Sequence, residues 1–322
     1  MTAYEVSPEF TELVERLRQS PFRADTTTVP ELRANFEKFA ASFYNPPAAE
    51  FVPDNANGVD VEWTRVPGCD RSQVVLYLHG GGYSIGSIEG YRDFCARISE
   101  GSGSSVLSVG YRLAPEHRFP AALDDAVTAY RWLIDSGIHA DRIVVAGDSA
   151  GGGLTVSMMV ALRDAAIALP AAAVCISPLT DLAHTGSSVL EKAYADPIVT
   201  PEGSHSYAVR YLGEQGDPTD PLASPLYADL HSLPPVLIQC GTAEVLLDDS
   251  LRLARKIRDA GGIVDLDVWP EMIHIFPFFA SQVPESQRAL RYLTAFVAQG
   301  FGREKDPSHA NASVAAAASL KS

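Results

Sequence analysis

The sequence predicts an α/β fold: a mostly parallel central sheet with helices on both faces, extended by a helical cap. Three observations carry this. Short apolar, β-branched runs alternate with helical-period stretches from about residue 59 onward, the rhythm of successive strand–helix units. One such run, Arg142 to Ala146, leads through Gly147-Asp148-Ser149-Ala150-Gly151 straight into an Ala/Leu/Met/Val-rich stretch ending near Ala168. The rhythm then breaks over residues 1–50 and 180–225, where helical pieces stand without strands between them.

Residues 1–50 read as two helices. Phe10, Leu13, Val14 and Leu17 form one stripe; Leu32, Phe36, Phe39 and Phe43 form a second, with Pro30 as its start signal. Such stripes serve core packing, or they lie over a site as a lid with Phe36 and Phe39 facing a pocket. Val59 to Val66 alternates weakly, like an edge strand, and Gln73 to Leu78 is a buried strand running into His79-Gly80-Gly81-Gly82-Tyr83. A helix over 90–100 and a strand at Ser105–Val109 follow. Next comes a helix over 121–136 with Leu123, Val127, Tyr130 and Leu133 or Ile134 inward, then the elbow strand and its helix, and a strand at Ala171–Ile176. After the break, with helical pieces near 187–193 and 201–212, come a strand at Pro235–Cys240, a helix at Asp248–Ala260, a strand at Ile263–Trp269 and a closing helix at Pro284–Ala298. The domain reading is cap helices at 1–50, a core at 51–179, a cap insertion at 180–225, the rest of the core at 226–303 and a disordered Ala/Ser-rich tail at 304–322.

The hydrophobic share of 46% and charged share of 20% are those of a globular enzyme. A formal net charge of −15 argues against nucleic acid or an anionic membrane as partner, since both attract cations. Cys69, Cys95, Cys175 and Cys240 lack metal-ligand spacing, so no metal site is expected. The first ten residues lack a signal-peptide pattern and no apolar run is long enough to span a bilayer, so the expectation is a cytoplasmic protein without stable membrane insertion.

A serine lifted out of a strand on a tight turn is a nucleophile in waiting, but its hydroxyl needs a base, a group to orient the base, and N–H donors for the oxyanion. This elbow geometry is that of α/β-hydrolases, whose chain order is Ser, acid, His. His274 lies between the last strand and the last helix, where the base belongs. The acid belongs after Pro235–Cys240, where Glu244, Asp248 and Asp249 compete. Glu244 is nearest the strand's C-terminal end, and Asp248 is the alternative. The three glycines at 80–82 do not fit a phosphate loop, since no Lys-Ser or Lys-Thr follows; they suit a loop whose bare N–H groups, with that of Ala150, face an oxyanion. Asp148 reads as a structural hydrogen-bond partner beside the nucleophile, or as part of the pocket; Arg112 and Glu116 lock a loop; Tyr83 and Phe276 line the pocket or simply pack.

His79-Gly80-Gly81-Gly82-Tyr83 followed by Gly147-Asp148-Ser149-Ala150-Gly151-Gly152 resembles the bacterial hormone-sensitive-lipase-like (family IV) carboxylesterases of the α/β-hydrolase superfamily. Tyr111-Arg112-Leu113-Ala114-Pro115-Glu116, Phe119 to Asp125, Ser224-Pro225-Leu226 and Leu233-Pro234-Pro235 extend the resemblance over about residues 55–300. It implies an α/β-hydrolase fold with a helical cap, a Ser–acid–His triad, hydrolysis of small esters without cofactor, and oxyanion donors at Gly81, Gly82 and Ala150. A homodimer is the analogous assembly. The chain departs from the family at one point: the usual acid is aspartate, and the matching residue is Glu244. Lactones, carbamates and amides are alternative substrates of the same chemistry. The competing class is a ligand-binding protein on this scaffold, which typically lacks a triad member.

Overall fold

The structure, a computed structural model, describes residues 5–19 and 27–302. The expected disordered tail at 304–322 lies outside the described residues. In chain order the elements are α1 (Pro8–Arg18), α2 (Val29–Ala41), β1 (Glu50–Ala56), β2 (Val59–Arg65), β3 (Asp70–Leu78), α3 (Ile88–Ser102), β4 (Ser104–Gly110), α4 (Ala121–Asp135), β5 (Ile143–Asp148), α5 (Ala150–Asp164), β6 (Ala172–Ile176), α6 (Ser188–Glu191), α7 (Pro201–Leu212), β7 (Val236–Gly241), α8 (Leu247–Asp259), β8 (Val264–Trp269) and α9 (Pro284–Gly300).

The strands form one sheet in the order β1-β2-β4-β3-β5-β6-β7-β8. Only the β1–β2 and β2–β4 pairs are antiparallel. From β4 through β8 every pair is parallel, because each strand returns through a helix. Strand side chains alternate between the faces. Val75, Tyr77, Val144 and Ala146 join α3 and α9 on one side; Val74, Leu76, Leu78, Ile143 and Val145 meet α4 and α5 on the other, where α8 also packs. Both faces are covered, which is why these strands read as continuous apolar runs.

Two expectations change. The edge strand is β1, not the 59–66 run. Its signal was present: Asn57-Gly58 is a two-residue hairpin turn, with φ of 53° and 100°, and Pro53 sits in an edge strand where a missing N–H is tolerated. In α4 the inward face is Ala122, Leu123, Ala126, Ala129, Tyr130 and Leu133, with Val127 and Ile134 only half-buried. Small residues there bring the helix close to the sheet.

α2 begins with a capping box, Thr28 with Glu31, and is fixed to the core by one arginine. Arg33 donates to the carbonyls of Ser84 (2.9 Å) and Ala114 (3.0 Å) and to the Glu116 carboxylate at 2.7 and 3.0 Å. Glu116 therefore locks a helix to a loop, while Arg112 makes its own fork with buried Asp125.

Candidate active site

The elbow is a strained turn held on both sides. Ser149 has φ 52° and ψ −120°, a conformation a side chain adopts only when its surroundings enforce it. Its N–H donates to the carbonyl of Ile176 (2.8 Å), and its carbonyl accepts from Leu179 (2.9 Å) and Gly153 (3.1 Å). The flanking glycines answer to close approach. A Cβ on Gly151 would stand 1.9 Å from the Leu78 carbonyl oxygen, and one on Gly147 would stand 2.3 Å from that of Gly151. The pattern is thus a packing requirement of β3, β5 and the start of α5.

Three segments far apart in sequence meet over this turn. His274 follows β8 in a loop bent by left-handed Glu271 and Ile275 (φ 61° and 49°), and the Ile275 N–H donates to Ser177 Oγ at 3.0 Å. The imidazole Nε2 is 3.0 Å from Ser149 Oγ. Its Nδ1 is 3.3 Å from Glu244 Oε2 in the loop after β7. Glu244 Oε1 accepts the Gly241 N–H at 3.3 Å, and Ser177 hydrogen-bonds the same carboxylate. Imidazole and carboxylate are both buried, while Ser149 keeps partial exposure. Asp248 lies elsewhere: its carboxylate accepts the Ser188 N–H at 3.0 Å, at the start of α6. Asp249 accepts the N–H groups of Thr180 and Asp181 at 2.7 and 2.9 Å.

Electrostatics in this pocket are set by burial against charge. Burial alone lowers the pKa of His274, but the hydrogen bond and charge of Glu244, with Asp196 and Asp148 further out, leave it raised above the usual histidine value. His79, by contrast, has no carboxylate partner. It is buried, its pKa is pushed down to about 4 by desolvation, and it bonds the Gly80 carbonyl at 2.8 Å while stacking on Tyr111. A neutral histidine with Nδ1–H donated to that carbonyl is a support for the glycine loop.

The loop itself turns on glycine. Gly81 and Gly82 have φ of 115° and 56°; a Cβ on Gly81 would meet the Ile85 carbonyl oxygen at 2.3 Å. The Gly80 N–H is already committed, to Asp148 Oδ1 at 2.9 Å and Tyr91 OH at 3.1 Å. Asp148 also accepts the hydroxyls of Tyr77 (2.7 Å) and Tyr91 (2.8 Å). It is a buried knot tying β3, α3 and the elbow together. The N–H groups of Gly81 and Gly82 have no such partner among the described residues, and Ala150, first in α5, has an N–H that the helix cannot use.

The cavity above Ser149 has a volume of about 100 Å³. Its walls come from α2 (Leu32, Phe36, Phe39) and from the α6–α7 segment (Ile198, Val199, Tyr207), with Gly81, Gly82, Asp148 and His274 at its base. Phe36, Phe39 and Asp148 line this cavity. Tyr83 and Phe276 do not. Tyr83 turns away to stack on Tyr211 at 3.7 Å, and Phe276 is fully buried against Trp269. An aromatic next to a site motif faces the core as readily as the pocket. Tyr91, Ser177, Asp196 and Arg33 escaped the sequence reading, because no local motif marks them and each acts across more than fifty residues or from a loop. Among the described residues no group of three or more His, Cys, Asp or Glu could hold a metal ion, and no helix is long and apolar enough to cross a membrane.

A serine at a strand–helix elbow, over a parallel sheet and within reach of a histidine from the last strand's loop, defines the class: an α/β hydrolase. A family model described as alpha/beta hydrolase fold matches residues 75–278. The chain is 39% identical over 299 residues, 92% of its length and 98% of the relative's, to an acetyl-hydrolase of Streptomyces hygroscopicus. It is 35% identical over 224 residues to an ethyl acetate hydrolase of Pseudomonas putida, covering 67% of this chain and 70% of that one. A crystal structure of an esterase from the bacterial hormone-sensitive lipase family superposes with a TM-score of 0.89 at 42% identity, covering 93% of this chain and all of the other. The chain belongs to the α/β-hydrolase family, and within it to the bacterial hormone-sensitive-lipase-like carboxylesterases.

Proposed function

We propose that the protein hydrolyses short-chain carboxylic esters through an acyl-enzyme, with Ser149 as nucleophile, His274 as base and Glu244 as its orienting acid. In the first half-reaction Ser149 Oγ bonds to the ester carbonyl carbon and its proton passes to His274 Nε2. The oxyanion is held by the N–H groups of Gly81, Gly82 and Ala150. Collapse breaks the bond to the alkoxide, which leaves with the proton from Nε2. Water then repeats the sequence on the acyl-serine and returns Ser149. Glu244 keeps the Nδ1 proton in place and stabilises the imidazolium formed in each half.

The observation that carries this reading is the relay at the floor of an apolar cavity, with 3.0 Å from Ser149 to His274 and 3.3 Å from His274 to Glu244. Cavity size supports a short acyl group: a cavity of about 150 Å³ takes one benzene ring, and this one is about 100 Å³. The names of two relatives, an acetyl-hydrolase and an ethyl acetate hydrolase, point the same way. Helices α1, α2, α6 and α7 make up the cap. The four cysteines are free thiols, which supports a reducing, cytoplasmic setting. The outer edge of β8 offers a surface on which a second copy would add a strand; sedimentation velocity distinguishes monomer from dimer.

The test is Ser149→Ala with p-nitrophenyl acetate, beside a panel of esters, lactones and amides for the native enzyme. Ester turnover should drop at least about 10³-fold in the variant, and a fluorophosphonate probe should label only the native protein. Full activity in the variant removes Ser149 from the mechanism.

A further inference from the structure

One buried carboxylate beside the relay has no part in the steps above. Asp196 lies in the cap segment between α6 and α7 and is completely buried. Three backbone N–H groups converge on it: Ile198 at 2.9 Å and Val199 at 3.0 Å on Oδ1, and Val245 at 2.9 Å on Oδ2. Burial raises the pKa of this carboxyl above the usual aspartate value, and the three N–H groups and His274 oppose that rise by favouring the ionised form. The two ends of this cradle do different work. Ile198 and Val199 are walls of the substrate cavity. Val245 is the residue after Glu244, so its N–H belongs to the peptide plane that leaves the acid's own Cα.

We infer that Asp196 is a positioning residue for the relay: it ties the Glu244 loop to the cavity wall and adds a buried carboxylate to the field acting on His274. The first half follows from how the loop is held. Its near side is fixed to the His274 loop, through Thr242 N–H to the Trp269 carbonyl and Ala243 N–H to the Met272 carbonyl, both at 2.9 Å. Its far side is held by Asp196 and by the Ser188 hydroxyl, which donates to the Val245 carbonyl at 2.7 Å. Glutamate has one more rotatable bond than the family's aspartate. A contact of 3.3 Å to Nδ1 then depends on holding its backbone from both sides, and Asp196 supplies the far anchor. The second half follows from charge. The ionisable groups acting on His274 are Glu244 from the β7–α8 loop, Asp196 from the cap and Asp148 from the end of β5. Asp148 accepts two tyrosine hydroxyls and the Gly80 N–H, and Asp196 accepts three amide N–H groups.

This inference rests on the Ser149–His274–Glu244 reading, and the experiment separates the two. Asp196→Asn is nearly isosteric. It leaves an acceptor for Ile198 and Val199, sets an amide NH₂ against the Val245 N–H, and removes the charge. With p-nitrophenyl acetate, kcat should fall by about 10²-fold, the scale of a small misplacement of a reacting group, while KM changes little. The acid limb of kcat/KM should move to lower pH, which a merely structural residue would not cause. Asp196→Glu keeps the charge but displaces the loop, so it should lower kcat and leave the acid limb in place. Ser188→Ala, which removes an uncharged tether of the same loop, should also leave the limb unmoved. A folded Asp196→Asn with native kcat, or with an unmoved acid limb, overturns the inference. If Asp196→Asn does not fold, Asp196→Glu decides: native kcat, or a limb that moves to lower pH, overturns it. Ser149→Ala is assayed alongside. If that variant turns over, the relay reading fails first; if it is dead while Asp196→Asn runs like the native enzyme, only the role of Asp196 is lost.

Discussion

Two carboxylates four residues apart show what decides a residue's role. Glu244 lies in the β7–α8 loop, buried against His274, whereas Asp248 is in the first turn of α8 and holds the start of α6. Glu244→Gln should lower kcat by at least about 10²-fold, since a neutral amide neither fixes the tautomer nor stabilises the imidazolium. Asp248→Asn should leave kcat within about threefold, since it removes at most one partly exposed capping bond. Steady-state kinetics on one ester compares the two, and the reverse ranking would move the role to Asp248. His274 carries a pH prediction. In the proposed mechanism His274 must be neutral to accept the Ser149 proton, and its pKa is raised by neighbouring carboxylates. The protonated, inactive form therefore persists to higher pH, and kcat/KM should rise with pH along a limb centred above 6.5, the ordinary histidine value. A limb centred below that value would contradict the electrostatics. His79 takes no part in this limb, since its pKa is near 4.

At the scale of elements, the elbow is three backbones packed closer than a side chain allows. The spacing of Gly147 and Gly151 is legible as a motif, but its cause is not: Gly147 faces the Gly151 carbonyl, and Gly151 faces the carbonyl oxygens of Leu78 and His79, about seventy residues upstream. Gly151→Ala puts a methyl 1.9 Å from one of these and 2.5 Å from the other. Neither is the movable end of a side chain. The substitution should cost more than the roughly 1–3 kcal/mol of ordinary overpacking, seen as a lowered urea midpoint or loss of soluble protein. The helices were legible for the opposite reason, that their signals are local. Pro30 and Thr28 start α2, and Thr200 and Pro201 start α7. The turn of the β1–β2 hairpin is equally local, in Asn57-Gly58, but exposed β1 lacks the alternation that marks a half-buried strand.

At the scale of the whole molecule, the cavity is assembled between a core and two helical segments separated by some 170 residues of chain. α2 contributes one wall and is pinned by Arg33 to the loops carrying Ser84, Ala114 and Glu116. Phe39, half-buried on that wall, packs on Phe43, Phe278 and Phe279. Removing its ring extends the cavity without touching the relay. Phe39→Ala should shift the p-nitrophenyl ester profile toward longer acyl chains relative to the native protein, with Ser149 still labelled by a fluorophosphonate. An unchanged chain-length profile would mean that the other walls set acyl length.

The α/β architecture, the family and the candidacies of Ser149, His274 and Glu244 are all legible in the chain. Each of these rests on local signals: apolar periodicity, glycine at a tight turn, and position relative to a strand end. Only the tertiary structure decided which carboxylate meets His274, that Tyr83 and Phe276 belong to the core, and that Asp148 and Asp196 are buried knots beside the relay. These depend on side-chain direction and on contacts between segments distant in the chain. Periodicity records which face of a strand or helix is buried; it holds no record of which distant segment that face meets.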